Sequence, residues 1–258
     1  MAAVRNVPIL MYHSVSDGAG PTCIPPELFR EQMKTIADAG CAVVSLSRFA
    51  AWRLDGSELP PRSVVITFDD GFRDFANDAF PCLETHGFAS TVFLPTRRLD
   101  GAEAWRGAAT PARPLMDWTT VADLASRGVE FAPHSRTHAD LAGLSGRELE
   151  DEIVGSQQDM QERLGIRSPH FAPPYGSIGA EGLAVIQRTY SASVGVGLGR
   201  ADRASPVHDL PRIEMHYYRE AKRFQSLLEG TGGAYLNLRR AMRGARKAIG
   251  RRSAHAYS

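Results

Sequence analysis

Two adjacent carboxylates, Asp69 and Asp70, close the stretch "SVVITFDDG", and two histidines four residues apart, His134 and His138, sit in "HSRTH". A third histidine, His13, ends the apolar run "VPILMYH" near the start of the chain. A bare "DDG" is most simply a solvated turn whose aspartate caps the next helix. A histidine pair at i, i+4 says more, because two imidazoles at that spacing can meet one cation. Joined by a carboxylate from another strand end, they supply a His, His, Asp set with open positions, the form of a catalytic metal site. A cation held there polarises a carbonyl and lowers the pKa of bound water to about 7. Asp69, beside the ligand Asp70, is then placed to take a proton, and His13 is the candidate to deliver one to a leaving group.

These groups matter only if the chain brings them to one place. "PELFREQMKTIADAG" puts Phe29, Met33, Ile36 and Ala37 at helical spacing and stops at Gly40. "CAVVSL" reads as a short buried strand, "SVVITFDDG" as another, and Phe72 to His86 as a helix with Phe75, Ala79 and Leu83 on one face. "ASTVFL" is a strand, 100–114 a loop rich in Gly, Ala and Pro, "TTVADLASRG" a helix and "VEFAPHS" a strand delivering His134. "SGRELEDEIVGSQQDMQERLG" opens with a capping box, Ser145 and Glu148, and closes at Gly165. "PHFAPPYGS" and "YSASVGVG" read as strands with a helix over 179–188 between them. This alternation predicts an α/β fold with a mainly parallel sheet, a barrel or a doubly wound sheet, in one domain. Ligand chemistry in such folds gathers at the C-terminal ends of strands, where His13, "DDG", His134 and "PPYG" all fall.

"TFDDG", "HSRTH" and "FAPPYG", in that order, together with the opening "PILMYHSVSD" and "THADLAGLSGRELEDEI", resemble the motifs of the polysaccharide deacetylases. These are carbohydrate esterase family 4, the NodB-homology domain. The resemblance spans roughly residues 7 to 215 and implies a distorted (β/α) barrel that removes N-acetyl groups from an amino sugar. It implies Asp69 as catalytic base and Asp70, His134 and His138 as ligands of a divalent metal, with Zn2+ expected first and Co2+, Ni2+ or Fe2+ open. The backbone N–H of Tyr175, within Pro174-Tyr175-Gly176, would help hold the oxyanion. Many members take their acid histidine from a Leu-His motif near the C-terminus; His208 and His216 are poor counterparts. A permuted subgroup resembling the poly-N-acetylglucosamine deacetylases takes it from a Tyr-His pair on the first strand, which Tyr12 and His13 match, with Tyr12 expected to pack. The third motif usually begins with an arginine that orients the base. Ala172 stands there, and Arg212 in "LPRIEM" is the candidate replacement.

Composition bounds the rest. The formal net charge of +1 gives the whole chain no attraction to nucleic acid or membrane. Three scattered cysteines suggest a reduced compartment. The early apolar run is too short for a secretory signal, so the expected location is cytoplasmic. From Leu236 to Ala254 seven basic residues occur without an acid, with Leu238, Met242, Ala245 and Ile249 at helical spacing. The chain thus divides into a barrel over 1–235 and a basic tail over 236–258. The tail reads as a helix that packs this stripe on the barrel, or as one that touches anionic lipid at the inner membrane face. The expected partner is an N-acetylated glycan or glycan precursor. Two other readings keep the fold: a hydrolase of a non-sugar amide or cyclic imide, and a glycan-binding protein without turnover.

Overall fold

Seven β-branched or apolar runs form parallel strands: β1 (Ile9–Tyr12), β2 (Ser63–Phe68), β3 (Thr91–Leu94), β4 (Glu130–Pro133), β5 (His170–Phe171), β6 (Ala192–Leu198) and β7 (Leu210–Glu214). A computed structural model of the protein describes residues 4–255, with side chains described as far as Gly244. The strands lie in the order β4-β3-β2-β1-β7-β6-β5. The ring nearly closes, for Ala172 N–H, just after β5, donates to the carbonyl of Pro133 at the end of β4 (3.2 Å). This is the distorted (β/α) barrel of the sequence reading, with β1 inserted between β2 and β7.

Side chains alternate across such strands, and the alternation decides which residues reach the site. Val65, Phe93, Ala132, Ala172, Val194 and Leu210 pack together, and Ile9 joins them. Leu10, Tyr12, Ile66 and Phe68 belong to the other cluster, against Phe29, Met33 and Phe75. Continuing the first set by twos puts Thr67 and Asp69, His13, and Arg212 and Glu214 on the inner side. Tyr12 therefore points away from the site. Its hydroxyl donates to Gln32 (2.9 Å), and its ring meets Phe29 and Phe68.

Around the strands run α1 (Pro26–Asp38), α2 (Leu46–Leu54), α3 (Phe80–His86), α4 (Trp118–Ser126), α5 (Gly146–Leu164), α6 (Ala180–Thr189), α7 (Ala221–Glu229) and α8 (Gly233–His255). Two local expectations fail for identifiable reasons. "CAVVSL" pairs only at Ala42–Val43, because Ser45 accepts from Arg48 N–H (3.1 Å) and starts α2, a helix the apolar pattern did not announce. The capping box at α5 does not form, since Ser145 makes no side-chain cap. Glu181 of α6 instead accepts the Gly146 N–H (2.9 Å). The terminal helix starts at Gly233 and buries Leu236, but Leu238 and Met242 are exposed, so the packed-stripe reading does not hold there. Ala245 and Ile249 lie outside the described side chains. No described helix is long and apolar enough to cross a membrane.

Candidate active site

Asp69 and Asp70 follow directly on β2, with Asp69 N–H bonded to the Tyr12 carbonyl (3.0 Å). Extended alternation would send the second carboxylate away from the first. Here Asp70 (φ 74°) and Gly71 (φ 67°) both take left-handed backbone, and the chain reverses sharply enough for both carboxylates to serve one pocket. A Cβ at Gly71 would come within 2.7 Å of Leu94, so that position needs glycine for space as well as for its φ. Asp70, His138 and Tyr175 all have positive φ, as does Ser135 between the two histidines. Left-handed backbone in non-glycine residues costs on the order of 1–3 kcal/mol each and gathers where surrounding bonds over-determine it.

Those bonds are visible around the histidines. His134 follows β4, and its Nδ1–H donates to the Ala172 carbonyl (2.7 Å). That bond fixes the tautomer and turns the Nε2 lone pair toward Asp70 Oδ1, 3.5 Å away. His138 Nε2 lies 3.1 Å from the same oxygen. Glu152, buried on α5, accepts from the N–H groups of Arg136 and Thr137 (both 2.9 Å) and from the Thr137 hydroxyl (2.6 Å). The turn is pinned again by Arg136, bidentate to Asp159 (2.9 and 2.7 Å) and paired with Asp151. Gly155 gives that guanidinium its room on α5.

The donor atoms of Asp70, His134 and His138 all lie within 4.8 Å of one another, and all three residues are buried. A buried carboxylate facing the Nε2 lone pair of His134 is repulsive unless a cation or proton stands between them, so the set fits a divalent metal. Burial alone would raise the Asp70 carboxyl. With a proton between it and each imidazole nitrogen, contacts with both histidines override this and hold Asp70 well below the carboxylate range. Burial lowers His138, keeping it neutral as a ligand must be.

Asp69 is held separately. Arg212, fully buried on β7, donates through Nη1 to Oδ1 (2.6 Å) and through Nη2 to Oδ2 (2.7 Å). Its remaining donors reach Thr67 Oγ1 (3.2 Å) and the Gly195 carbonyl (2.9 Å), so the fork is fixed in position. Burial would raise the Asp69 carboxyl, but Arg212 keeps it below the ordinary value and ionised. His13, largely buried, brings Nε2 to 4.0 Å from Asp69 Oδ2. Glu214 stands two residues beyond Arg212 and is raised by burial, with His13 and Arg212 among its neighbours. Sequence reading passed over Glu214, Glu152 and Trp105. The inward phase of "LPRIE" was the one signal available for the first.

An aromatic wall completes the cleft. Trp105, from the 100–114 loop, stacks on His138 (4.2 Å between centroids, 18°), and Tyr175 meets the same imidazole edge-on (4.8 Å). The loop is clamped by buried Glu103, which accepts from the N–H groups of Ala109 and Arg113 and from the Arg113 guanidinium (2.7 and 2.8 Å). Pro174–Gly176 forms a tight turn beside this wall. His208 precedes β7 and so stands at the opposite end of that strand from Glu214; His216 lies in the turn after it.

The polysaccharide deacetylase family model matches residues 56–191, more than half of the chain. The chain belongs to the polysaccharide deacetylase family. Its reaction class is accordingly that of an amide-hydrolysing enzyme. YxkH of Bacillus subtilis (strain 168), assigned by name to the polysaccharide deacetylases, is 25% identical over 211 residues, covering 81% of this chain and 71% of YxkH. The fold matches that of the Streptococcus pyogenes deacetylase PplD, solved with acetate, at a TM-score of 0.72 and 24% identity over 82% of this chain and 92% of that one. IcaB from Ammonifex degensii matches at a TM-score of 0.71 and 17% identity, over 89% and 98% of the two chains. Asp69, Asp70, His134, His138 and Tyr175 of this polysaccharide deacetylase fall inside the matched span, whereas His13 and Arg212 fall outside it. Ala172, where the family's motif usually has arginine, contributes its carbonyl to His134 and its methyl group to the barrel interior.

Proposed function

We propose that this protein is a metal-dependent hydrolase that removes N-acetyl groups from an amino-sugar glycan or glycan precursor. The observation that carries the reading is the division of labour between adjacent carboxylates. Asp70 is joined to His134 and His138, and Asp69 is held by the Arg212 fork. Asp70, His134 and His138 would hold a divalent cation, zinc being the commonest for this donor set, which supplies Lewis-acid polarisation and a more acidic water when bound.

This chain's own residues then handle the protons. Asp69, ionised at neutral pH, accepts a proton from the attacking water as its oxygen bonds to the acetyl carbon. The Tyr175 N–H donates to the developing oxyanion at the cleft wall. The C–N bond breaks as His13 gives its proton to the departing nitrogen, yielding acetate and a free amine. Arg212 is a positioning residue that holds the base and lowers its pKa in place of the motif arginine. Trp105 and Tyr175 offer flat apolar faces to a pyranose ring.

Acetate release from N-acetylglucosamine oligomers by zinc-loaded protein, with Asp69→Asn and His13→Ala in parallel, tests the reading. It predicts release that collapses in both variants. Metal bound without release from any N-acetylated oligosaccharide would overturn it.

A further inference from the structure

The described part of the terminal helix is attached to the barrel by residues other than Leu238 and Met242. Leu238 and Met242, one turn apart on α8, are 57% and 41% exposed, and with Leu54 they are the exposed large apolar side chains among the described residues. The helix is seated instead by buried Leu236, by the Tyr235 hydroxyl on the Tyr217 carbonyl (2.9 Å), and by Arg239 over the Tyr217 ring (3.9 Å). Arg240 Nε donates to the Leu198 carbonyl (3.0 Å). Leu198 ends β6, and Tyr217 follows β7 by three residues. The helix therefore starts at the end of the sheet that carries Asp69, His13 and Glu214.

Charge is divided along the chain in the same place. Of 30 basic and 29 acidic residues, seven basic and no acidic ones follow Gly230, so the last stretch carries +7 and the rest −6; two of the seven, Arg239 and Arg240, are those held on the barrel. We propose that α8 is a docking surface for an anionic lipid bilayer, seating the mouth of the cleft over glycan carried at a membrane surface. A soluble polyanion would satisfy the arginines and leave Leu238 and Met242 in water. A bilayer takes both, with apolar side chains at the headgroup boundary and cations against anionic headgroups. The substrate clause rests on the deacetylase reading, and the bilayer contact does not.

The test is flotation of the full chain with vesicles of phosphatidylcholine and phosphatidylglycerol, against vesicles of phosphatidylcholine alone. The protein should float with the anionic vesicles at low salt and be released at high salt. L238S/M242S should cut partitioning by about tenfold or more, with circular dichroism and acetate release from soluble oligosaccharide unchanged. Acetate release from an N-acetylglucosaminyl lipid in anionic vesicles should fall in that variant relative to the soluble substrate. No flotation of the wild type at low salt would overturn the proposal. So would equal flotation of L238S/M242S, or retention on dextran sulfate without vesicle binding. Flotation as expected from a protein that releases no acetate from either substrate would uphold the bilayer contact and remove the deacetylase reading instead.

Discussion

The two walls of the cleft are built by different means. On one, Asp70, His134 and His138 are set by backbone, through left-handed residues, a carbonyl on His134 Nδ1 and two amide donors on Glu152. On the other, Asp69 rests on a side chain, the fork of Arg212, which comes from 143 residues away in sequence. The first wall lies inside the segment the family model matches, and the residues that hold the second lie outside it. A ligand cluster made of local turns travels with its motif. A base held by one distant arginine can be rebuilt from another strand, as Ala172 and Arg212 illustrate.

Substitutions on the two walls should accordingly fail in different ways. The largest effect belongs to the metal wall. Asp70→Ala should lose bound metal, read by metal analysis after gel filtration, and acetate release should fall to background. Asp69→Asn should keep its metal and lose about 10²–10⁴-fold in kcat. Metal loss in both variants would show that the carboxylates do not divide the work. His13→Ala should keep the metal as well and lose on the order of 10²-fold on N-acetyl substrates. On p-nitrophenyl acetate, whose leaving group departs without a proton, the same variant should be close to wild type. Equal losses on both substrates would remove His13 as the acid.

Much of this contrast is legible in the sequence, and the illegible part has a physical cause. Strand ends marked by "DDG", "HSRTH" and "PPYG" place one wall because a turn carries its own spacing. The inward phase of β1 separates His13 from Tyr12 by simple alternation. Glu152 was not legible as a partner of the histidine turn. On the helix pattern it is one more acid among "RELEDEI", and only the packing of α5 on β4 reveals what it accepts. The missing cap at Ser145 was equally illegible: Gly146, the first residue of α5, takes left-handed backbone (φ 53°), and its N–H goes to Glu181 of the next helix. Arg212 could be nominated from "LPRIEM" but not distinguished from a surface arginine, because burial of a strand this far along depends on ring closure.

Arg212 is where the comparison becomes quantitative. Arg212→Met leaves Asp69 buried without its partner, a change that costs about 3–5 kcal/mol when one half of a buried pair is removed. Because Arg212 depresses the folded-state pKa of Asp69, the ion pair contributes stability above the unfolded carboxyl value, and that stability is lost as pH falls through the folded value. In Arg212→Met, burial is no longer offset by the guanidinium, and Asp69 rises. The acid limb of kcat should then move to higher pH, and part of the lost stability should return on acidification. Arg212→Lys should recover stability better than rate, having charge without the two-pronged geometry. An unchanged acid limb in the methionine variant would mean that Asp69 is not the titrating base.

The smallest predicted effect probes the metal wall at a distance. Glu152→Gln preserves shape but removes the charge that accepts three donors from the turn between His134 and His138. A carboxamide oxygen can still accept, so the turn should persist with weaker anchoring and the fold should survive. Groups that orient metal ligands typically contribute about 10–100-fold to metal affinity. The variant should therefore need more zinc for half-activation, measured by titrating metal into chelator-stripped protein, and reach a kcat near wild type at saturation. Lower kcat with unchanged metal affinity would place Glu152 on the proton-handling side of the reaction and erase the boundary between the two walls.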